Sequence, residues 1–110
     1  MVIISDTAKF IEIKTTFEKH EDAKHFAAKI LDAGLVACTK IEEVESRYKF
    51  EGSWCEHKEW QLCMTTKRGL MKKCEQFIKA NHPYKVPQIV ATPIVYASKD
   101  YAKWINENMK

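Results

Sequence analysis

Val44-Glu45-Ser46-Arg47-Tyr48-Lys49-Phe50-Glu51-Gly52-Ser53-Trp54, returning through Trp60-Gln61-Leu62-Cys63-Met64-Thr65, is the stretch on which the fold turns. On both sides of Glu51-Gly52-Ser53 the residues alternate with a period of two, the signature of extended strand. Val44, Ser46, Tyr48 and Phe50 face one way, and Glu43, Glu45, Arg47 and Lys49 the other. On the return, Trp60, Leu62 and Met64 share a side opposite Gln61, Cys63 and Thr65. Gly52 marks the turn, so the two runs form a hairpin. Strands of about 12–14 residues at ~3.3 Å each extend roughly 40–45 Å. A compact domain of this length has a radius of gyration near ~13 Å, a sphere about 34 Å across. The distal part, around Tyr48, Phe50, Trp54 and Trp60, is therefore expected to overhang its own core. Exposed aromatic strand edges invite pairing with another chain. The hairpin predicts a homo-oligomer in which hairpins augment neighbouring sheets, unless a bulge near Ile41 to Val44 folds it back.

Upstream, Phe10 to Thr15 reads as a short strand. Glu18, Glu21 and Asp22 then put negative charge where a helix N-terminus favours it. Ala23, Phe26, Ala27, Ile30 and Leu31 recur at helical spacing, and Gly34 stops the helix. Downstream, Leu70, Cys74, Phe77 and Ile78 mark a second amphipathic helix ending near Ala80 and Asn81. His82-Pro83-Tyr84-Lys85-Val86-Pro87 follows. Its prolines fix φ and push the preceding residues out of helical space, so the loop is stiff and presents His82 and Tyr84 in set directions. The apolar run Ile89 to Val95 suits an interior strand, although Pro93 demands an edge or a bulge. Ser98 is placed to cap a last helix with Asp100 in its first turn and Tyr101, Trp104 and Ile105 on its apolar side. The order β-α-β-β-α-β plus a C-terminal helix is α+β and ferredoxin-like, with both main helices on one face of an antiparallel sheet.

The 110 residues fit one domain, spanning 1–110, with enough apolar material (45%) for a core that needs no staples. A net charge of +3 is too small for a nucleic-acid footprint, and Lys67, Arg68, Lys72, Lys73 and Lys79 read as a solvated face. The third strand lacks the Gly-aromatic pattern of an RNA-recognition module. Val2-Ile3-Ile4 is too short for a signal peptide's apolar region, and no run approaches membrane length. Cys38, Cys55, Cys63 and Cys74 form no C-x-x-C motif and read as reduced thiols, Cys63 and Cys74 as core residues, in a cytoplasmic protein. His20, His25 and His57 read as solvated polar residues. No phosphate loop, nucleophile elbow or H-E-x-x-H helix points to an enzyme.

Five elements together resemble the CutA divalent-cation-tolerance family: Leu35-Val36-Ala37-Cys38, Tyr48-x-Phe50-x-Gly52, Thr65-Thr66, His82-Pro83-Tyr84-x-Val86-Pro87 and Asp100-Tyr101-x-x-Trp104-Ile105. The resemblance runs from about Phe10 to Glu107. It implies a ferredoxin-like subunit, a homotrimer built by long hairpins, and a link to copper or another divalent cation. It also implies kinship of architecture with the trimeric PII signalling proteins, which bind small ligands between subunits. Copper-binding members of the family use a cysteine at the end of the first strand and two histidines opening the His-Pro-Tyr motif. On those positions this chain carries Thr15, Asn81 and His82. A thiolate and an imidazole are thereby replaced by a hydroxyl and an amide, and Gln88 stands where many relatives carry an acid, so metal affinity is expected to fall steeply and His82 is left as the metal candidate. A second expectation is a small anion or partner protein held in an inter-subunit cleft by Lys67, Arg68, Tyr84 and Trp104. A third is a structural trimer whose client proteins bind the outer helices.

Overall fold

A computed structural model describes residues 8–109, so the Val2-Ile3-Ile4 run lies outside the described residues. The strands are β1 (Phe10–Phe17), β2 (Cys38–Phe50), β3 (Ser53–Lys67) and β4 (Val90–Pro93); the helices are α1 (His20–Asp32), α2 (Met71–Asn81) and α3 (Lys99–Asn108). A 3-10 turn, Arg68–Leu70, leads into α2. The four strands form one antiparallel sheet in the order β2-β3-β1-β4. This is the ferredoxin-like arrangement expected from the order of elements.

Residues paired across a ladder share a face, so the registers sort the sheet. Ile11, Ile13, Thr15 and Phe17 of β1 lie beside Thr66, Met64, Leu62 and Trp60 of β3. These packed side chains meet Ala23, Phe26, Ala27 and Ile30 of α1 and Cys74 and Ile78 of α2 in a single core. On the second face stand Glu12, Lys14 and Thr16 of β1, with Glu59, Gln61, Cys63 and Thr65 of β3 and Val44, Ser46, Tyr48 and Phe50 of β2. Cys63 therefore leaves the core position expected of it and donates to Glu12 Oε2 at 3.0 Å, while Cys74 is fully buried. The alternation that made β3 a strand also carries Cys63 to the face opposite Leu62 and Met64.

β1 runs two residues beyond Thr15, because Thr16 and Phe17 continue the ladder to Gln61 and Trp60. α1 ends as its glycine requires: Gly34 has φ 72, its N–H donates to Leu31 O, and Leu35 N–H reaches Ile30 O. Those two bonds form a Schellman motif. Leu31 is 40% exposed rather than on the apolar face, since it lies at the margin of the α1 stripe.

The β2–β3 register is unbroken from Cys38↔Thr65 to Phe50↔Ser53, so no bulge folds the hairpin back. Its two-residue turn has φ 52 at Glu51 and 83 at Gly52, both positive, as in a type I′ turn. The overhang is plain in the dimensions: a radius of gyration of 15.0 Å and a longest extent of 45 Å. Phe50 and Trp54 are 54% and 70% exposed at its end.

β4 corrects the reading of Ile89 to Val95 as an interior strand. It is shortened to Val90–Pro93, it sits at the sheet edge, and every residue in it is exposed. Pro93 has no N–H to offer a further strand, which confines it there. In α3 the Ser98 hydroxyl accepts the Tyr101 N–H at 3.2 Å, the expected cap. Ile105 is fully buried, whereas Tyr101 and Trp104 stack on each other (5.7 Å between centroids) and stay partly exposed.

Candidate functional site

The prolines of the His82–Pro87 loop place it against the free end of β1. His82 leaves α2 in extended conformation (φ −92, ψ 136), as a residue before proline must. Its Nε2 lies 2.8 Å from the Thr16 carbonyl, and its Nδ1 accepts the Tyr84 N–H at 3.0 Å. A carbonyl only accepts, so Nε2 carries the proton and the ring is the neutral Nε2–H tautomer. The imidazole also stacks on Phe17 at 4.2 Å and 11°. Burial lowers its pKa below the ordinary histidine value, against the opposing pull of the Thr16 bond and of Asp22 and Glu59.

Both ring nitrogens of His82 are thus engaged by the chain itself. Asn81 is engaged as well: its Nδ2 donates to Phe77 O at 2.9 Å and its Oδ1 accepts from Lys29 Nζ at 3.2 Å. Thr15 is fully buried on the core face, and its Oγ1 has no hydrogen-bond partner among the described residues. Among the described residues no three His, Cys, Asp or Glu side chains are placed to hold a metal ion. A hydroxyl, an amide and a doubly bonded imidazole fit copper poorly, because a metal at His82 would first displace Tyr84 N–H or Thr16 O.

Past His82 the loop turns Tyr84 toward the second face of the sheet. Tyr84 donates its hydroxyl to Glu59 Oε2 at 2.6 Å. Glu59 is only 5% exposed. Burial alone would disfavour its charge, but hydrogen bonds from Ser46, Tyr84 and Thr16 and the nearby His57 outweigh it and hold the pKa below the usual value. The carboxylate in turn raises the pKa of Tyr84, with burial the larger cause. Beside them Tyr48 Oη lies 2.6 Å from His57 Nε2. A groove of about 870 Å³ opens over this cluster, walled by Tyr48, Phe50, Tyr84 and Val86 with Glu59 at its floor.

The residues expected to share a cleft do not converge within one chain. Lys67 pairs with Phe10 at the far end of β3, and Arg68 N–H donates to Lys9 O beside it. From Glu59 to Lys67 the strand covers roughly 26 Å. Trp104 lies on α3, whose end approaches Thr66 through Met109. His20 stacks on Trp60, His57 bonds Tyr48, and His25 is exposed. Cys38 lies on the second face, paired with Thr65.

Sequence reasoning missed Glu59, Ser46 and His57 as a group. Their one sequence signal is shared parity along the hairpin, which places them on the side of Tyr48. The contact with Tyr84 spans 25 residues and exists only in the folded chain.

Comparison with known proteins completes the description. The family model of the CutA1 divalent ion tolerance protein matches residues 11–108. A divalent-cation tolerance protein CutA of Pyrococcus horikoshii is 33% identical over 91% of this chain and 98% of its own length. Its counterpart in Thermus thermophilus is 34% identical over 84% and 91%. The crystal structure of CutA1 from Oryza sativa superposes with a TM-score of 0.88 at 30% identity, covering 94% of this chain and 95% of that one. Among the described residues no helix is long and apolar enough to cross a membrane. The overall fold is that of the superposed structure, and the chain belongs to the CutA1 divalent ion tolerance family.

Proposed function

We propose that the chain serves divalent-cation tolerance as a homotrimer joined by its long hairpins, acting by binding rather than catalysis, with a degenerate copper site. Family membership supplies the link to divalent cations. The engagement of both His82 nitrogens by Thr16 and Tyr84 carries the degenerate site. Thr15 and Asn81 supply no soft or strongly basic donor in compensation. The four free thiols suit a reducing compartment, so we place the protein in the cytoplasm. Calorimetric titration with Cu(II) tests the site. Binding weaker than micromolar is expected, and a Thr15→Cys/Asn81→His double variant should gain at least tenfold. Sub-micromolar binding by the natural chain that His82→Ala abolishes would overturn the degenerate site.

A second reading, a PII-like sensor with a small ligand or partner protein in the inter-subunit cleft, draws on one observation. Lys67 and Arg68 lie at one end of β3, roughly 26 Å of strand from the Glu59 that Tyr84 contacts, so they can share a site only across a boundary between copies. A thermal-shift screen of the assembled protein with nucleotides, organic ions and metals separates the readings. Stabilisation by organic ligands and not by metals favours the second.

A further inference from the structure

The sheet narrows from four strands to two where the hairpin leaves it. β4 pairs with β1 as far as Lys14↔Val90, and β1 pairs with β3 as far as Phe17↔Trp60. β2 and β3 then run on together as an arm, from Val44↔Glu59 to Phe50↔Ser53. Two-stranded ribbons twist more than wide sheets, so the direction of such an arm needs a brace. At ~3.3 Å per residue the arm extends roughly 23 Å, and a tilt of about 10° at its root carries the tip about 4 Å. That is enough to lose a side-chain contact at Phe50 or Trp54.

Glu59 is the first arm residue on β3, and it is 5% exposed. A carboxylate accepts several hydrogen bonds at once. Here the hydroxyls come from three separate elements: Thr16 of β1, Ser46 of β2 and Tyr84 of the His82–Pro87 loop, the last at 2.6 Å. Hydrogen bonds to an ionised acceptor are short and strong, so one side chain ties the arm to the body of the sheet and to a stiff loop. On the opposite face His20, at the start of α1, stacks on Trp60 at 4.3 Å, and the root is gripped from both sides. The exposed ion pairs of the arm, Arg47–Glu56 and Lys58–Glu43, join its strands only to each other.

We propose that Glu59 and its three hydroxyl partners set the direction of the arm, and through it whether copies close into a ring. A ring closes only when every copy presents the same angle to the next. Glu59 is thus a positioning residue, satisfied within its own chain. This rests on the reading of the chain as a homotrimer joined by its hairpins, and it names the side chains that hold the closing geometry.

The test is native mass spectrometry of mixed unlabelled and isotope-labelled assemblies, which reads particle mass and the rate of subunit exchange. Glu59→Gln should speed exchange roughly tenfold, and Tyr84→Phe and Ser46→Ala about threefold each. Tyr84→Phe removes a single oxygen, which keeps the test open if Glu59→Gln misfolds. Added to Glu59→Gln, Tyr84→Phe should have little further effect, because both act on one knot. Ile78→Val, a fully buried change in α2, should leave exchange unaltered. Equal acceleration by Ile78→Val means general instability and overturns the proposal. Acceleration by Glu59→Gln with none from Tyr84→Phe or Ser46→Ala means that the carboxylate acts on a neighbouring copy, and overturns it too. A natural trimer whose exchange no substitution changes overturns the proposal alone, whereas a natural chain of monomer mass overturns the trimer reading together with it.

Discussion

Thr15 and His82, which bonds the carbonyl of the next residue along β1, behave in opposite ways. The Thr15 hydroxyl is buried without a partner among the described residues, which leaves its desolvation uncompensated. Thr15→Val keeps the shape and removes the orphan, so it should stabilise the chain by about 1 kcal/mol in chemical denaturation. A loss of stability would show that the hydroxyl is satisfied. His82 is fully partnered, and its lowered pKa makes stability depend on pH. The unfolded chain takes up the proton first as pH falls below about 6.5. Stability is therefore complete above that value and declines as pH drops toward the depressed folded value. Comparing unfolding midpoints near pH ~7.5 and ~5 should show a decline that His82→Gln flattens. Glu59, whose folded pKa is also depressed, acts lower: its contribution is present above the ordinary carboxylate value of 4.5 and is lost below it.

Elements were legible wherever local pattern and burial agree. α1 carries its apolar stripe and glycine stop in plain view, and α3 carries its Ser98 cap. The hairpin was legible because alternation needs no knowledge of the partner strand. Its turn makes a local prediction. Gly52 at φ 83 should tolerate alanine poorly, with a loss of about 1–2 kcal/mol. Glu51 at φ 52 should gain a few tenths of a kcal/mol from asparagine, which accepts the left-handed region more readily. Thermal unfolding of both variants checks the pair, and equal effects would mean that the turn relaxes. β4 was legible only in part. An apolar run does not say whether its cover comes from the same chain, and Pro93 was the one residue arguing for an edge.

At the scale of the whole molecule, the sheet has two free edges among the described residues, β2 and β4. Beyond β4 stand Val95 and Tyr96, 61% and 82% exposed. Apolar residues displayed at an unpaired edge, together with an overhanging hairpin, favour pairing between copies. Light scattering should give three chains per particle, and a Val95→Lys/Tyr96→Lys double variant should yield smaller species. A natural chain that stays monomeric would remove the trimer. The candidate site divides along the same line of scale. His82 and Tyr84 could be singled out beforehand because their loop is stiff by covalent constraint. The roles of both could not, because their partners Thr16 and Glu59 come from other strands.

By itself the sequence determined the order of elements, the hairpin and its length, the helix stops and caps, and the family. All of these follow from short-range periodicity, backbone restriction and motif spacing. Tertiary structure alone decided that both His82 nitrogens are occupied, that Tyr84 meets β3 at Glu59, far along the strand from Lys67, and that Glu59 sits under a groove. Those are questions of which distant atoms meet, and hydrogen bonding and desolvation act on atoms in contact, whatever their separation along the chain.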